Sequence, residues 1–149
     1  MYPLVLAFLG AMLLSWQIAA TQPQQIAAVN NTAGDVAAAN FWAYRGAVVS
    51  YLNTNPGATG TIADTSLTFP MGYIRNPAWT NVVESGTLYT YSISTLSPDT
   101  VDAIARRGGR TMLIGIAKAG NTMTSITGAA SGLTIPAAIT AGSVVVIGN

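Results

Sequence analysis

The chain begins with a nearly continuous apolar stretch from Leu4 to Ala20. As a helix, this stretch would extend about 25 Å at roughly 1.5 Å per residue, near the lower limit for crossing a bilayer. A signal peptide carries Lys or Arg before its apolar region, and none stands here, while bulky Ile18 occupies position −3 of the cleavage site that Ala20 would offer. We therefore expect residues 1–22 to be a retained membrane anchor; a cleaved signal peptide and a buried core helix are the alternatives.

Charge gives little guidance to the orientation of this segment, because no Lys or Arg flanks it within reach of the positive-inside rule. Only Met1, Tyr2 and Pro3 precede the segment, and all 6 basic residues lie far along its C-terminal side. Since the polar, charge-poor remainder follows the anchor, we expect a single-pass protein whose C-terminal part, residues 23–149, is exported as a head.

A second apolar pattern follows, with the spacing of an amphipathic helix over residues 24–53. Thr21 and Gln24 form a capping-box pattern near its start, and the alternative is one long helix kinked at Pro23. "NTNPG" ends the helix, because its proline disfavours helical backbone at the preceding residue. Polar side chains, Arg45 among them, are expected largely off the apolar stripe. The stripe recurs at mostly three- and four-residue steps through Ile26, Val29, Ala33, Val36, Phe41, Tyr44, Val48 and Leu52.

The rest of the chain has mostly the pattern of β-strands. "TLYTYSIS" alternates in the manner of a strand with one buried face, and "KAGN" has the Gly and Asn of a hairpin loop. "SPDTVDAIARR" predicts a short helix, with Ser97 as N-cap and Pro98 in the first turn. The fold class is therefore α+β, a pilin-like arrangement of an N-terminal helix and a small antiparallel-sheet head. The predicted strands cover residues 61–69, 87–94, 112–117, 122–127 and 143–147.

Composition narrows the possible chemistry. Only 7% of the residues are charged, the net charge is +1, and the chain has neither Cys nor His. The low net charge gives no broad electrostatic field that would attract nucleic acid, and the lack of Cys excludes thiolate chemistry. The lack of His removes the commonest general base and the commonest metal ligand. We therefore expect a non-enzymatic protein without cofactor, metal or small-molecule substrate. The remote alternative is an envelope hydrolase acting through Glu84, the only Glu in the chain.

Two short segments have the composition of a protein-binding surface. "FPMGYIRNPAW" (residues 69–79) combines aromatic rings with two prolines, and "RRGGR" (residues 106–110) holds half of the basic residues. Tyr, Trp and Arg are enriched at binding hot spots. A loop that covers a sheet edge and a solvated helix C-terminus are the alternatives for the two segments. The candidate partner-binding residues are Tyr73, Arg75, Arg106, Arg107 and Arg110.

Several longer motifs resemble a known family. The apolar opening together with "FWAYRGAVVSYLNTNPGATGTI", "LTFPMGYIRNPAWTN" and "GTLYTYS" resembles the PilM family of type IVB (thin) pilus systems, over essentially the whole chain. The resemblance implies a bacterial inner-membrane protein with a periplasmic head, belonging to the pilin transport apparatus and basal body of conjugative and related pili. It implies other pilus-apparatus proteins as partners and supplies no catalytic residues.

The layout is also similar to that of a type IV pilin, with two departures. Val5 stands where mature pilins carry a glutamate, and a basic leader ending in glycine is absent. We therefore expect an anchored accessory subunit; a minor filament subunit and a secreted adhesin released by signal cleavage are the alternatives.

Overall fold

The computed structural model describes Val29 and residues 32–148. The predicted anchor, residues 1–22, and the start of the predicted helix lie outside these residues. Within the part of the chain that the structure describes, no helix has the length and apolar character needed to cross a membrane.

The first helix, α1, is helical at Val29 and from residue 32 to residue 54. It ends where the sequence predicts, because Pro56 follows. The Asn55 backbone N–H and side-chain amide both donate to the Tyr51 carbonyl, each at 3.0 Å. A second helix, α2, spans Pro98–Arg107. Its predicted caps are confirmed: the Ser97 side chain accepts a hydrogen bond from the Thr100 N–H, and Gly108 is the C-cap.

Six strands form one sheet in which every pair of neighbours is antiparallel. The spatial order is β1-β2-β6-β3-β4-β5, so β6, the last strand in the sequence, lies between β2 and β3. "KAGN" forms the predicted hairpin between β3 and β4. The strands are β1 (Trp79–Glu84), β2 (Thr87–Thr95), β3 (Ile114–Lys118), β4 (Thr122–Ser125), β5 (Ala130–Thr134) and β6 (Ser143–Ile147).

One strand prediction is wrong and two strands were not predicted. Residues 61–69 contain a short 3-10 helix, Asp64–Ser66, and only the neighbouring Gly60 makes a β-bridge, to Val83. Strand β1 is hidden in the sequence because Asn81 occupies one of its core-facing positions. There the Asn81 side chain bonds both the N–H and the carbonyl of Ile62, at 2.9 and 3.0 Å. The N–H and carbonyl of Ile62 are thus hydrogen-bonded to the Asn81 side-chain amide instead of to the backbone of a neighbouring strand.

The two faces of the sheet pack against different parts of the chain. Helices α1 and α2 cover one face, where Trp79, Leu88 and Val146 belong to the main core. On the opposite face, Val145 and Ile147 pack with Ile135 and Ile139 from the segment between β5 and β6. The expected α+β class with an antiparallel sheet is confirmed.

The prediction that Arg45 lies off the buried face of α1 is wrong. Arg45 is buried, with 9% exposure, and donates hydrogen bonds to the Gly148 carbonyl at 2.6 Å and the Thr90 hydroxyl at 3.3 Å. Its guanidinium also lies 5.8 Å from the centre of the Trp42 ring. Burial lowers the pKa of Arg45. The side chain therefore joins α1 to β2 and to the end of β6, instead of pointing to solvent.

Candidate docking surface

The aromatic loop, residues 69–79, is held against the rest of the molecule by Arg75. The Arg75 guanidinium pairs with the Asp64 carboxylate at 2.7 Å and donates to the Trp79 carbonyl at 2.6 Å. It also donates to the Asn76 carbonyl and lies 4.6 Å from the centre of the Tyr44 ring. Arg75 thus closes the loop on itself and attaches it to α1 and to the 3-10 helix.

Tyr73 anchors the same loop through its ring and its hydroxyl. The ring stacks on Phe69 at 4.5 Å, and the hydroxyl donates to the Asn40 side-chain oxygen at 3.2 Å. Burial raises the pKa of Tyr73. The same Asn40 oxygen accepts from the Trp79 indole at 2.9 Å, and its amide donates to the Ile74 carbonyl at 2.8 Å. One α1 side chain therefore fixes the loop at three points.

These contacts leave two apolar residues of the aromatic loop at the surface. Ile74 is 81% exposed and Met71 is fully exposed. Sequence reasoning missed both, because it singled out the residue types of binding hot spots. The signal that could have found them is the spacing of two apolar side chains around Tyr73, one two residues before it and one directly after it, in a loop too short to bury all three.

The arginine cluster, residues 106–110, makes ion pairs at the C-terminal end of α2. Arg106 contacts the carboxylates of Asp35 at 3.0 Å and Asp102 at 2.9 Å, and Arg110 contacts Asp102 at 2.6 Å. Arg107 is exposed and makes no ion pair with any residue in the described ranges. All these groups are solvent-accessible, so each pair contributes about 0–1 kcal/mol.

The two predicted segments contact different sides of α1. The aromatic loop bonds to Asn40, and the arginine cluster bonds to Asp35. Five residues of helix turn by about 140°, so the two contacts are well separated around the axis. A partner that touches both segments must therefore reach across the exposed side of α1.

That exposed side contains an open apolar groove of about 870 Å³. We call it the α1 groove. Its lining is mostly apolar, and the polar residues that also line it are Thr32, Asn40, Arg75 and Asn76. An exposed apolar patch on a protein surface is a candidate interaction site. The residues that supply its apolar lining are Val29, Ala33, Val36, Ala37, Ile74 and Pro77.

Glu84 lies at the exposed end of β1 and is not among the residues that line this groove. It borders a smaller cavity of about 360 Å³ together with Tyr89 and Asn121. Among residues 32–148 and Val29, no three acidic side chains come together as a metal site. The Asp102 carboxylate on α2 forms ion pairs with Arg106 and Arg110.

Helices on one face of an antiparallel sheet define an α+β domain, and a mostly apolar groove lies beside its first helix. A family model for PilM matches residues 5–147, and the chain belongs to the PilM family. The resemblance found in the sequence motifs is therefore confirmed.

Two solved structures are similar to this chain. A protein called PilM from Escherichia coli B7A matches with a TM-score of 0.59 and 17% identity, over 78% of this chain and 91% of that one. A pilM protein from Pseudomonas aeruginosa 2192 matches with a TM-score of 0.46 and 25% identity, over 77% of this chain and 95% of that one. The first of these shows a shared fold. No curated protein matches the chain.

Proposed function

We propose that this protein is a non-enzymatic, inner-membrane-anchored component of a type IVB (thin, conjugative) pilus biogenesis apparatus or its basal body. Membership of the PilM family makes it pilus-related. The observation that carries the finer proposal is the α1 groove, because a component of an assembly needs exposed apolar surface for its neighbours. The partners are other proteins of the pilus apparatus.

The docking surface consists of the aromatic loop, the α1 groove and the arginine cluster. Exposed Ile74 supplies apolar area at the rim of the groove, and Arg107 supplies a guanidinium free for a carboxylate. Tyr73 and Arg75 act on the surface indirectly, because their contacts set the position of the loop.

Capture of partners from crosslinked membranes tests this surface. Replacing Ile74 by Ser should reduce capture of pilus-apparatus proteins, since an interface anchor contributes about 2 kcal/mol, close to a thirtyfold change in affinity. Replacing Arg106, Arg107 and Arg110 together by Gln should also reduce it. The matched control is Asn53→Ser, another exposed residue outside the groove. Folded variants that capture every partner at the wild-type level would remove this surface from the proposal.

The anchor in the proposal is the apolar stretch from Leu4 to Ala20. We expect it to stay on the protein, because bulky Ile18 occupies position −3 of the cleavage site that Ala20 would offer. The intact mass of the membrane-extracted protein should therefore include residues 1–20. A soluble product beginning at Thr21 would contradict the anchor.

The orientation is a separate prediction. A reporter fused after Asn149 should be active only in the periplasm, and a reporter active only in the cytoplasm would contradict the proposed orientation.

A further inference from the structure

The cavity beside Glu84 is an open cleft on the face of the sheet opposite the helices. One wall is the β1–β2 hairpin, and the other is formed by the β3–β4 turn, the end of β5 and the segment that follows it. Val82 and Tyr89 place the hairpin wall on this face, because both pack against the core that contains Val145 and Ile147. We call it the hairpin cleft. It shares no lining residue with the α1 groove.

The register of the hairpin brings a carboxylate and an aromatic ring to the same wall of the cleft. Glu84 pairs with Thr87, and Val82 pairs with Tyr89, so Glu84 and Tyr89 are diagonal neighbours on one face of the sheet. The Cα atoms of such neighbours are about 7–8 Å apart, a separation that long and aromatic side chains can bridge. A small group bound between them would therefore contact both the carboxylate and the ring.

The opposite wall is fixed by a backbone hydrogen bond. The Asn121 carbonyl accepts from the Ile135 N–H at 2.8 Å, and Ile135 is 2% exposed in the core beneath the cleft. This bond ties the β3–β4 turn to the segment after β5. The wall therefore holds the exposed side chains of Asn121 and Thr134, which carry hydrogen-bond acceptors, at the border of the cleft.

The charges of the chain leave Glu84 without a positive partner. All 6 basic residues lie in the described ranges, and Glu84 makes no ion pair with any of them. The carboxylates of Asp35, Asp64 and Asp102 each pair with an arginine. Asp99 lies in the first turn of α2, where the helix dipole stabilises a negative charge. The hairpin cleft has neither form of compensation, and no basic residue lines it.

We propose that the hairpin cleft binds an ammonium or guanidinium group, as carried by Lys or Arg, through the Glu84 carboxylate and the Tyr89 ring. The carboxylate supplies the opposite charge, and the face of the ring attracts the same cation. A volume of about 360 Å³ is near the lower end for ligand sites, so the cleft suits one extended side chain or a small amine. The inference does not rest on the proposed function, because the cleft shares no residue with the docking surface.

An NMR titration of the full chain in neutral detergent tests this site, because amide signals detect weak binding and locate it. The probe is acetyl-Gly-Lys-Gly-amide, and the control probe is the same peptide with the lysine Nζ acetylated. The charged peptide should shift the amide signals of Thr87, Tyr89 and Asn121 in a saturable manner, and the acetylated peptide should not. Added salt should weaken the binding, because it screens exposed charges. A titration with butylamine shows whether the peptide backbone contributes.

Two pairs of variants separate the carboxylate from the ring. Glu84→Gln should weaken peptide binding about fivefold, the upper end for a partly exposed ion pair. Asp99→Asn removes a carboxylate outside the cleft and is the matched control, which should bind as the wild type does. Tyr89→Leu should weaken binding several-fold and Tyr89→Phe should not, because the face of the ring attracts the cation and the hydroxyl is not needed. Unchanged amide signals in the rest of the protein show that each variant is folded.

Saturable binding that acetylation abolishes and Glu84→Gln weakens supports the site, whether or not butylamine binds as well. No saturable binding, equal binding of the two peptides, or equal loss in Glu84→Gln and Asp99→Asn overturns it. Shifts of the same amides by a neutral trisaccharide of N-acetylglucosamine, with none by the charged peptide, also overturn it. None of these results bears on the capture of partners by the docking surface, which tests the proposed function separately.

Discussion

At the scale of single residues, a buried hydrogen-bond network connects α1, the 3-10 segment and β1. Asn81 is fully buried and donates to the Tyr44 hydroxyl at 2.7 Å as well as to the Ile62 carbonyl. Because a buried polar group without a partner costs about 1–3 kcal/mol, each member of the network depends on the others. Burial raises the pKa of Tyr44, so the folded protein holds the phenol in its neutral form.

This raised pKa predicts the pH dependence of stability. The Tyr44 contribution is fully present below pH 10.0, the ordinary tyrosine value, and is lost as pH rises through the higher pKa of the folded protein. In Tyr44→Phe, the free energy of unfolding should be about 1 kcal/mol lower at pH 7, because Asn81 loses one partner. It should then fall less steeply above pH 10 than in the wild type. Urea unfolding at a series of pH values measures both; equal slopes in the two proteins would contradict the assignment.

At the scale of elements, the aromatic loop is a rigid scaffold that presents two apolar side chains. Its rigidity comes from Arg75, which joins Asp64, Tyr44 and the Trp79 carbonyl. Asp64 and Arg75 are partly exposed, so their ion pair alone is weak, and the hydrogen bond and ring contact supply most of the stabilisation.

Arg75→Gln should therefore lower the free energy of unfolding by about 2 kcal/mol, the sum of a charge-assisted hydrogen bond and a cation–π contact. Arg107→Gln is the matched control and should change it by less than about 0.5 kcal/mol, since the Arg107 side chain is solvated. Urea unfolding followed by tryptophan fluorescence makes the comparison. If the two variants unfold alike, Arg75 does not hold the loop.

The ends of the helices could be predicted from the sequence, but the faces that α1 buries could not. Capping chemistry is local, so the ends of α2 and the C-terminal end of α1 were predicted correctly. The apolar pattern of α1 was interpreted as one stripe, although Val29 and Val36 are exposed while Ala38 and Phe41 belong to the core. Arg45 was expected in solvent, because its acceptors come from residues far along the chain, Thr90 and Gly148.

The strands and the candidate site show the same limit. Strand β5, with the sequence "ASGLT", has too little apolar alternation to predict, and β1 conceals its pattern at Asn81. In the site, Tyr73 and Arg75 were singled out as partner-binding residues, and the structure gives both of them contacts within the chain. The exposed Ile74 depends on those contacts, and contacts between distant segments cannot be derived from local pattern.

At the scale of the whole molecule, the proposed function orders the parts of the chain from the membrane outward. In the proposed arrangement the anchor comes first, the α1 groove lies on the turns of α1 nearest to it, and the sheet follows. Docking of other subunits at the α1 groove would then occur close to the membrane. Glu84 lies at the far end of β1, where it borders another cavity away from the proposed docking surface.

Pilus production by cells that lack this protein tests the central claim most directly. We predict that they make no pili, and that the wild-type chain and Glu84→Gln both restore production. Ile74→Asp should fail to restore it although the variant is folded and present in the membrane, because a carboxylate at an 81% exposed position disturbs docking and not the core. Pili made without the protein would contradict its place in the apparatus. A folded Glu84→Gln that fails where Ile74→Asp succeeds would contradict the structural role and favour catalysis.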